Sequence, residues 1–115
     1  MDGLAAFVRL LGLVARTRLT LSGIDARIPL SAVVRRSIPT PWATKGAVMR
    51  HVLAAGDYRV DTTDGVKVNH PDGSWVWVLP DPAQARTSVW AEGHDAAASA
   101  QLLERWGRIV ADAAE

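Results

Sequence analysis

The sequence contains no cysteine among its 115 residues. This absence excludes disulfide scaffolds, thiolate nucleophiles and cysteine-ligated zinc sites. The chain also lacks an excess of charge of either sign, because 13 basic and 12 acidic side chains leave a formal net charge of +1. Such a balance provides no long-range attraction for nucleic acid or for an anionic membrane, so we expect neither as a partner.

No apolar run in the sequence is long enough to cross a bilayer. The longest run near the N-terminus, LAAFVRLLGLVA, is interrupted by Arg9 and is shorter than the roughly 20 residues that a membrane span needs. It has neither a basic segment before it nor a convincing cleavage site after it, so it does not have the pattern of a signal peptide. The 49% of apolar residues indicates a folded chain, and its length of 115 residues indicates one domain. Because neither a membrane span nor a signal peptide is recognised, we expect the protein in the cytoplasm.

Residues 2–17 have helical periodicity, but their apolar side chains lie on more than one side. Leu4, Phe7 and Leu11 form one stripe, and Leu10 and Leu13 add apolar surface elsewhere. A helix that is apolar nearly all round is normally buried on all sides, which a small domain cannot do for a terminal helix. We therefore treat residues 1–29 as an N-terminal helical segment. Either it dimerises or, as we prefer, a preceding domain of a longer chain covers it.

Residues 30–115 have the pattern of an α+β domain. The strand candidates are AVVRRSIPT, YRVDTT, VKVNH, WVWVL and TSVWAE, and the second and third flank a hairpin turn at Asp64-Gly65. A helix is expected between the first two, with Thr40 as its cap and Gly56 at its end, and Asp95 caps a final helix. We expect a four-stranded, mainly antiparallel sheet with helices packed on one face.

Few polar residues are arranged as a chemical site. The histidines, His51, His70 and His94, have no metal-ligand spacing to one another or to a pair of carboxylates, so we interpret them as solvated or capping side chains. No serine lies in the context of a nucleophile elbow, and no glycine-rich phosphate loop precedes a helix. We predict no catalytic residue and no metal ligand in this chain.

Three tryptophans, Trp75, Trp77 and Trp90, fall at strand spacing. We interpret them as core or interface residues. The alternative is a platform on which bases or sugar rings stack, which requires exposed rings with cations between them. Lys67 and Arg86 are too few to favour that alternative.

The segment DTTDGVKVNHPDGSWVWVLPDP, followed by a strand ending in WAEG and a terminal helix, resembles the C-terminal domain of the phosphohexomutases, which include phosphoglucomutase and phosphomannomutase. In that family a DG(V/I)K strand, a DGSWVLVR strand and the loop RPSGTEP follow one another in this order. VVRRSIPTPWATKGAVMRHVL also resembles the region just upstream in members whose mutase-like part is fused behind a sugar-1-phosphate nucleotidyltransferase. The resemblance covers residues 30–115.

The resemblance implies a sheet of four antiparallel strands with helices on one face, similar to half of the TATA-box-binding protein. It further implies a fourth domain that closes over a sugar phosphate and holds the phosphate that is not reacting. The family's phosphoserine, Mg²⁺-binding aspartates and sugar-reading loop lie in the three preceding domains. We therefore expect no cofactor and no catalysis in this domain alone, and we expect the preceding domains of a parent chain as its partner.

The phosphate loop is where the sequence departs from the family. Only one proline is kept when the flanking strands are aligned, because RPSGTEP falls in order on Leu79, Pro80, Asp81, Pro82, Ala83, Gln84 and Ala85.

A phosphate dianion is usually bound by a bidentate guanidinium, hydroxyl donors and a nest of backbone N–H groups. Here the guanidinium and both hydroxyls are missing, Pro82 lacks an N–H, and Asp81 adds like-charge repulsion. We therefore take Pro80, Asp81, Gln84 and Arg86 as the candidate substrate-contact residues and predict that they no longer hold a phosphate.

The same residues favour a local structure for the loop. Asp81 is placed to cap a tight or briefly helical turn, with Gln84 at the third position of a variant capping box. Two other interpretations stay open: an active mutase in which Arg86 or Lys45 replaces the usual phosphate ligands, and a scaffold module that self-associates through the first helix and the tryptophans.

Overall fold

The computed structural model describes residues 2–115, which divide into two compact units, one ending at Leu30 and the other comprising Ser31–Glu115. The first unit contains helix α1, Gly3–Thr17, and the short helix α2, Leu21–Asp25. Asp2 caps α1 by accepting hydrogen bonds from the backbone N–H groups of its first turn. No side chain of α1 is buried, and Leu4 is 72% exposed.

The second unit is an α+β domain. Its elements in chain order are β1, Val34–Pro39; a 3₁₀ turn, Trp42–Thr44; α3, Lys45–Ala55; β2, Arg59–Asp61; β3, Val66–Asn69; β4, Trp75–Pro80; β5, Arg86–Glu92; and α4, Ala96–Ala114. The strands form one antiparallel sheet in the order β1-β5-β4-β3-β2. The predicted fold class is confirmed, but the sheet has five strands rather than four, because β2 pairs with β3 as a short edge strand.

Helices α3 and α4 cover one face of the sheet. Successive side chains of a strand point to opposite faces, so alternate residues of β3, β4 and β5 meet the helices. Burying each valine side chain there is worth roughly 1.5–3 kcal/mol. The core residues that are at most 4% exposed are Val48, Val52, Val66, Val68, Val76, Val78, Val89, Ala91, Trp106 and Val110.

The other face of the sheet carries Trp75, Trp77 and Trp90, all of which are partly exposed. These three rings are therefore not part of the core, contrary to one half of the prediction, and their assignment to an interface stays a prediction. The Lys67 ammonium lies 4.7 Å from the ring centroid of Trp75, and the Arg35 guanidinium lies 4.7 Å from that of Trp90. The chain's own cations thus stack on two of the rings.

Two local expectations also need correction. Thr40 does not cap α3: it is fully buried and its hydroxyl donates to the carbonyl of Ile38, while α3 begins only at Lys45, after the 3₁₀ turn. The connection between β2 and β3 is longer than a two-residue turn, although Gly65 adopts the positive φ of 68° that a tight turn requires.

The predicted cap of the last helix is confirmed. Asp95 caps α4, and its Oδ1 accepts a hydrogen bond from the N–H of Ala98 at 2.7 Å.

None of the helices within residues 2–115 is long and apolar enough to cross a membrane.

Candidate functional site

The segment from Pro80 to Arg86, here called the 80–86 loop, joins the central strands β4 and β5. Its two ends are held together because the N–H of Asp81 donates to the carbonyl of Arg86 at 3.0 Å. The N–H of Arg86 donates to the carbonyl of Gln84 at 2.8 Å, and the buried Thr40 donates its N–H to the carbonyl of Ala85 at 2.9 Å. The loop is therefore a closed turn, tied to the chain that follows β1.

The carboxylate of Asp81 is the centre of the loop. Oδ1 accepts hydrogen bonds from the N–H groups of Ala83 at 2.8 Å and Gln84 at 3.0 Å. Oδ2 lies 3.1 Å from Nε of Arg86. The hydrogen bond from Ala83, followed by those from Arg86 and Gln84, lowers the pKa of Asp81, because each favours the ionised form. A carboxylate held in this way occupies the donors that would otherwise face an external anion.

The predicted capping by Asp81 is confirmed, since its side chain accepts two backbone N–H groups. No helix follows, however, because the chain re-enters the extended conformation of β5 at Arg86. The predicted capping box is also wrong: the N–H of Asp81 donates to the Arg86 carbonyl and not to the side chain of Gln84.

A second cation reaches the loop from α3. The ammonium of Lys45 donates to the backbone carbonyls of Asp81 and Gln84, the latter at 2.6 Å, and it lies 3.6 Å from the ring centroid of Trp42. Sequence reasoning named Lys45 only as an unconventional ligand and did not place it against the loop. The contact joins residues 36 and 39 positions apart, and no local pattern in the sequence signals it.

The structure brings together Asp81 and Arg86 of the four predicted site residues. Pro80 ends β4 and is half-buried, and the side chain of Gln84 is exposed and forms no hydrogen bond with any residue from 2 to 115. The side chain of Arg86 is 41% exposed, and only its Nε is engaged within the described chain. The two terminal guanidinium nitrogens of Arg86 and the side-chain amide of Gln84 are donors that the loop still offers to an anion, next to the negative charge of Asp81.

No group of three or more histidine, aspartate or glutamate side chains within residues 2–115 is arranged to hold a metal ion. His51 is exposed on α3, and Nε2 of His94 lies 3.2 Å from Oδ2 of Asp95 at the start of α4. His70 differs from both, because its Nε2 is buried. Sequence reasoning, which treated all three as solvated or capping, missed that difference.

No family model matches the chain. It is similar to three curated archaeal proteins, each named as a probable phosphoglucosamine mutase. The protein of Methanocella arvoryzae is 29% identical over 112 residues, that of Methanothermobacter thermautotrophicus 28% over 110, and that of Methanopyrus kandleri 33% over 93. The matches cover 95%, 90% and 78% of this chain, which spans 25%, 24% and 20% of the respective relatives. The similarity supports a phosphohexomutase-like region that corresponds to a quarter or less of those proteins.

Proposed function

We propose that the chain is the C-terminal domain of a phosphohexomutase-like protein of sugar-phosphate metabolism, with a phosphate loop that no longer binds phosphate and no catalysis of its own. One observation carries this proposal: the carboxylate of Asp81 accepts two backbone N–H groups and the Nε of Arg86 within the 80–86 loop. Backbone N–H groups and an arginine are also the donors by which proteins bind phosphate. The loop therefore already holds an anion on these donors, the carboxylate of Asp81.

An incoming sugar phosphate has to displace this carboxylate or bind beside it. Displacement breaks three charge-assisted hydrogen bonds, one of them an ion pair with Arg86, and binding beside Asp81 places two negative groups together. Pro82 has no N–H to add. Both routes therefore weaken phosphate binding relative to a loop without the aspartate.

The proposed partner is the remainder of a longer chain. The relatives are about four to five times as long as the region matched. The apolar side chains of α1 that are more than half exposed, Leu4, Phe7, Val8 and Leu11, are suited to packing against a preceding domain. We expect that domain set to hold the Mg²⁺ site and the phosphoserine. The fusion to a nucleotidyltransferase and the cytoplasmic location stay predictions, and the parent reading frame upstream of residue 1 tests the first.

Titration of backbone amide chemical shifts tests the loop. Neither mannose 1-phosphate nor glucose 6-phosphate is expected to produce saturable shifts at residues 80–87 of the 115-residue chain. Asp81→Ala removes the side-chain acceptor, frees the N–H groups of Ala83 and Gln84, and is expected to give weak, saturable shifts there. Asp57→Ala, at an exposed aspartate outside the loop, is the matched control and should give none. Saturable micromolar shifts in the unaltered chain would contradict the proposal.

A second candidate function is favoured by the convergence of Lys45 and Arg86 on the loop. Two cations against one carboxylate leave a local charge of +1, which an active mutase could use to hold a phosphate by unconventional ligands. In that case activity of the parent protein is lost in Arg86→Ala while the fold is kept. Activity unchanged by Arg86→Ala contradicts this candidate and leaves the first.

A further inference from the structure

One side chain of helix α3 is hydrogen-bonded to the 80–86 loop within residues 2–115. It belongs to Lys45, the first residue of α3, whose ammonium donates to the backbone carbonyls of Asp81 and Gln84. The ring of Trp42, from the 3₁₀ turn before α3, lies against the same ammonium. Lys45 therefore connects the loop to the start of the helix.

These contacts use the donor capacity of the ammonium. A lysine ammonium has three N–H donors and no acceptor. Two donors are taken by the carbonyl oxygens, and the third is left for the face of Trp42, where the ring quadrupole attracts a cation. A phosphate recruits Lys45 only if the ammonium leaves both carbonyls, which then lose a charged partner. The ammonium is thus placed to hold the loop and not to receive an external anion.

The two carbonyls belong to residues whose other groups close the loop. The carboxylate of Asp81 accepts from the N–H groups of Ala83 and Gln84, and the N–H of Asp81 donates to the carbonyl of Arg86. Because both carbonyl oxygens contact one nitrogen atom, they lie close together, and their dipoles repel each other unless a donor lies between them. Lys45 therefore stabilises the same conformation in which Asp81 occupies the N–H donors of the loop.

We propose that Lys45 is a positioning residue, whose ammonium clamps the 80–86 loop in the closed form in which Asp81 occupies the loop's own donors. The clamp couples the loop to the start of α3, next to the ring of Trp42, which is 57% exposed. This inference rests on the proposed function, because it identifies what keeps the loop closed to a phosphate. Loop closure is measured without a sugar phosphate, so the clamp and the loss of phosphate binding can fail separately.

Amide hydrogen exchange in the 115-residue chain measures the closed loop directly. The N–H groups of Thr40, Asp81 and Arg86 donate to carbonyls of the loop and are protected while it is closed. Lys45→Met keeps the apolar stem of the side chain and removes the ammonium, so these three amides are expected to exchange about tenfold faster or more. Lys45→Arg keeps the charge and the donors and should restore most of the protection.

Arg50→Met is the matched control, because it removes an exposed cation of α3 that forms no ion pair within residues 2–115. It should leave the exchange of the three loop amides unchanged. The amide of the buried Val76, in the central strand β4, separates opening of the loop from general unfolding and should keep its protection in every variant. The proposal is overturned if the loop amides keep their protection in Lys45→Met, if Arg50→Met or Lys45→Arg exposes them equally, or if Val76 loses protection to the same extent.

Discussion

The polar groups at the two ends of strand β4 differ in whether they have hydrogen-bond partners. At the 80–86 loop, the carboxylate of Asp81, the Nε of Arg86 and the ammonium of Lys45 are all paired with neighbours in the same chain. At the turn between β3 and β4 (residues 70–74, here called the 70–74 turn), Nε2 of His70 is buried without a partner among residues 2–115, and so is Nε1 of Trp106 on the adjacent α4. The polar groups are therefore paired at the end that resembles a known phosphate site, whereas two buried polar atoms are left unpaired at the other end.

The two ends also differ in how far apart in the sequence their hydrogen-bond partners lie. The 70–74 turn is stabilised by neighbouring residues, because Asp72 accepts from Ser74 and the N–H of His70 donates to the carbonyl of Ser74. None of these hydrogen bonds involves Nε2 of His70. The 80–86 loop is stabilised both by its own aspartate and by Lys45 from α3. The 80–86 loop thus holds a carboxylate of its own on the donors that, under the proposed function, would face a phosphate.

The largest expected effect separates the tryptophans at the two ends. Trp106→Ala removes a fully buried indole and should lower the free energy of unfolding by about 3–5 kcal/mol. Trp42→Ala removes a ring that is 57% exposed and in contact with Lys45, and should cost only about 0.5–1 kcal/mol. Urea denaturation of both variants measures the two values. Equal losses would contradict the assignment of Trp106 as the core aromatic residue.

An intermediate effect is expected from two turn glycines, which both adopt positive φ. A Cβ at Gly65, where φ is 68°, would lie 2.3 Å from the carbonyl oxygen of Val78, whereas a Cβ at Gly73, where φ is 86°, meets nothing within 4 Å. Gly73→Ala therefore incurs only backbone strain, about 1 kcal/mol, and Gly65→Ala adds a clash with the sheet, for a total of about 3 kcal/mol.

Thermal unfolding at matched conditions compares these glycine variants, with the unaltered chain as the reference. A cost for Gly73→Ala that equals or exceeds the cost for Gly65→Ala would show that the tight contact against β4 is not what distinguishes the turns.

The features that the sequence predicted are those that depend on neighbouring residues. The caps at Asp95 and Asp81 and the helix end at Gly56 each need only a side chain or a dihedral angle within a few positions. The β2–β3 hairpin is local as well: YRVDTT, which contains β2, was predicted as a strand beside VKVNH, although the expected total of four strands was one too low.

The features that sequence reasoning missed depend on what covers a surface. The segment WVWVL is apolar on both faces, so its alternating pattern does not indicate which face packs against the helices. In the structure the helices contact the face of Val76 and Val78, and Trp75 and Trp77 lie on the opposite face. Trp106 is buried on α4, and whether its Nε1–H finds a partner depends on residues distant in the sequence that pack around it. The candidate loop residues were located from the resemblance, and their pairing required the structure.

The smallest expected effect concerns the aspartates at the two ends, Asp81 and Asp72, whose pKa values are both lowered. Hydrogen bonds from Ala83, Arg86 and Gln84 lower the pKa of Asp81, and hydrogen bonds from Ser74 lower that of Asp72. A carboxyl with a lowered pKa in the folded state stabilises the fold above its unfolded pKa of about 3.9, and this contribution is lost as the pH falls through the folded value. Asp81→Asn and Asp72→Asn should therefore be destabilising at neutral pH and approach the unaltered chain in acid.

Salt separates the two aspartate variants, because of the two only Asp81 forms an ion pair with an arginine within residues 2–115, its Oδ2 lying 3.1 Å from Nε of Arg86. High salt screens that pair, so the difference between Asp81→Asn and the unaltered chain should shrink in high salt at neutral pH, while the difference for Asp72→Asn should change little. Urea denaturation at neutral and acid pH, each at low and high salt, gives the four values needed for each protein. An Asp81→Asn difference that persists in acid would mean that the ionised carboxylate does not stabilise the 80–86 loop, and a difference that salt leaves unchanged would mean that the pair with Arg86 does not.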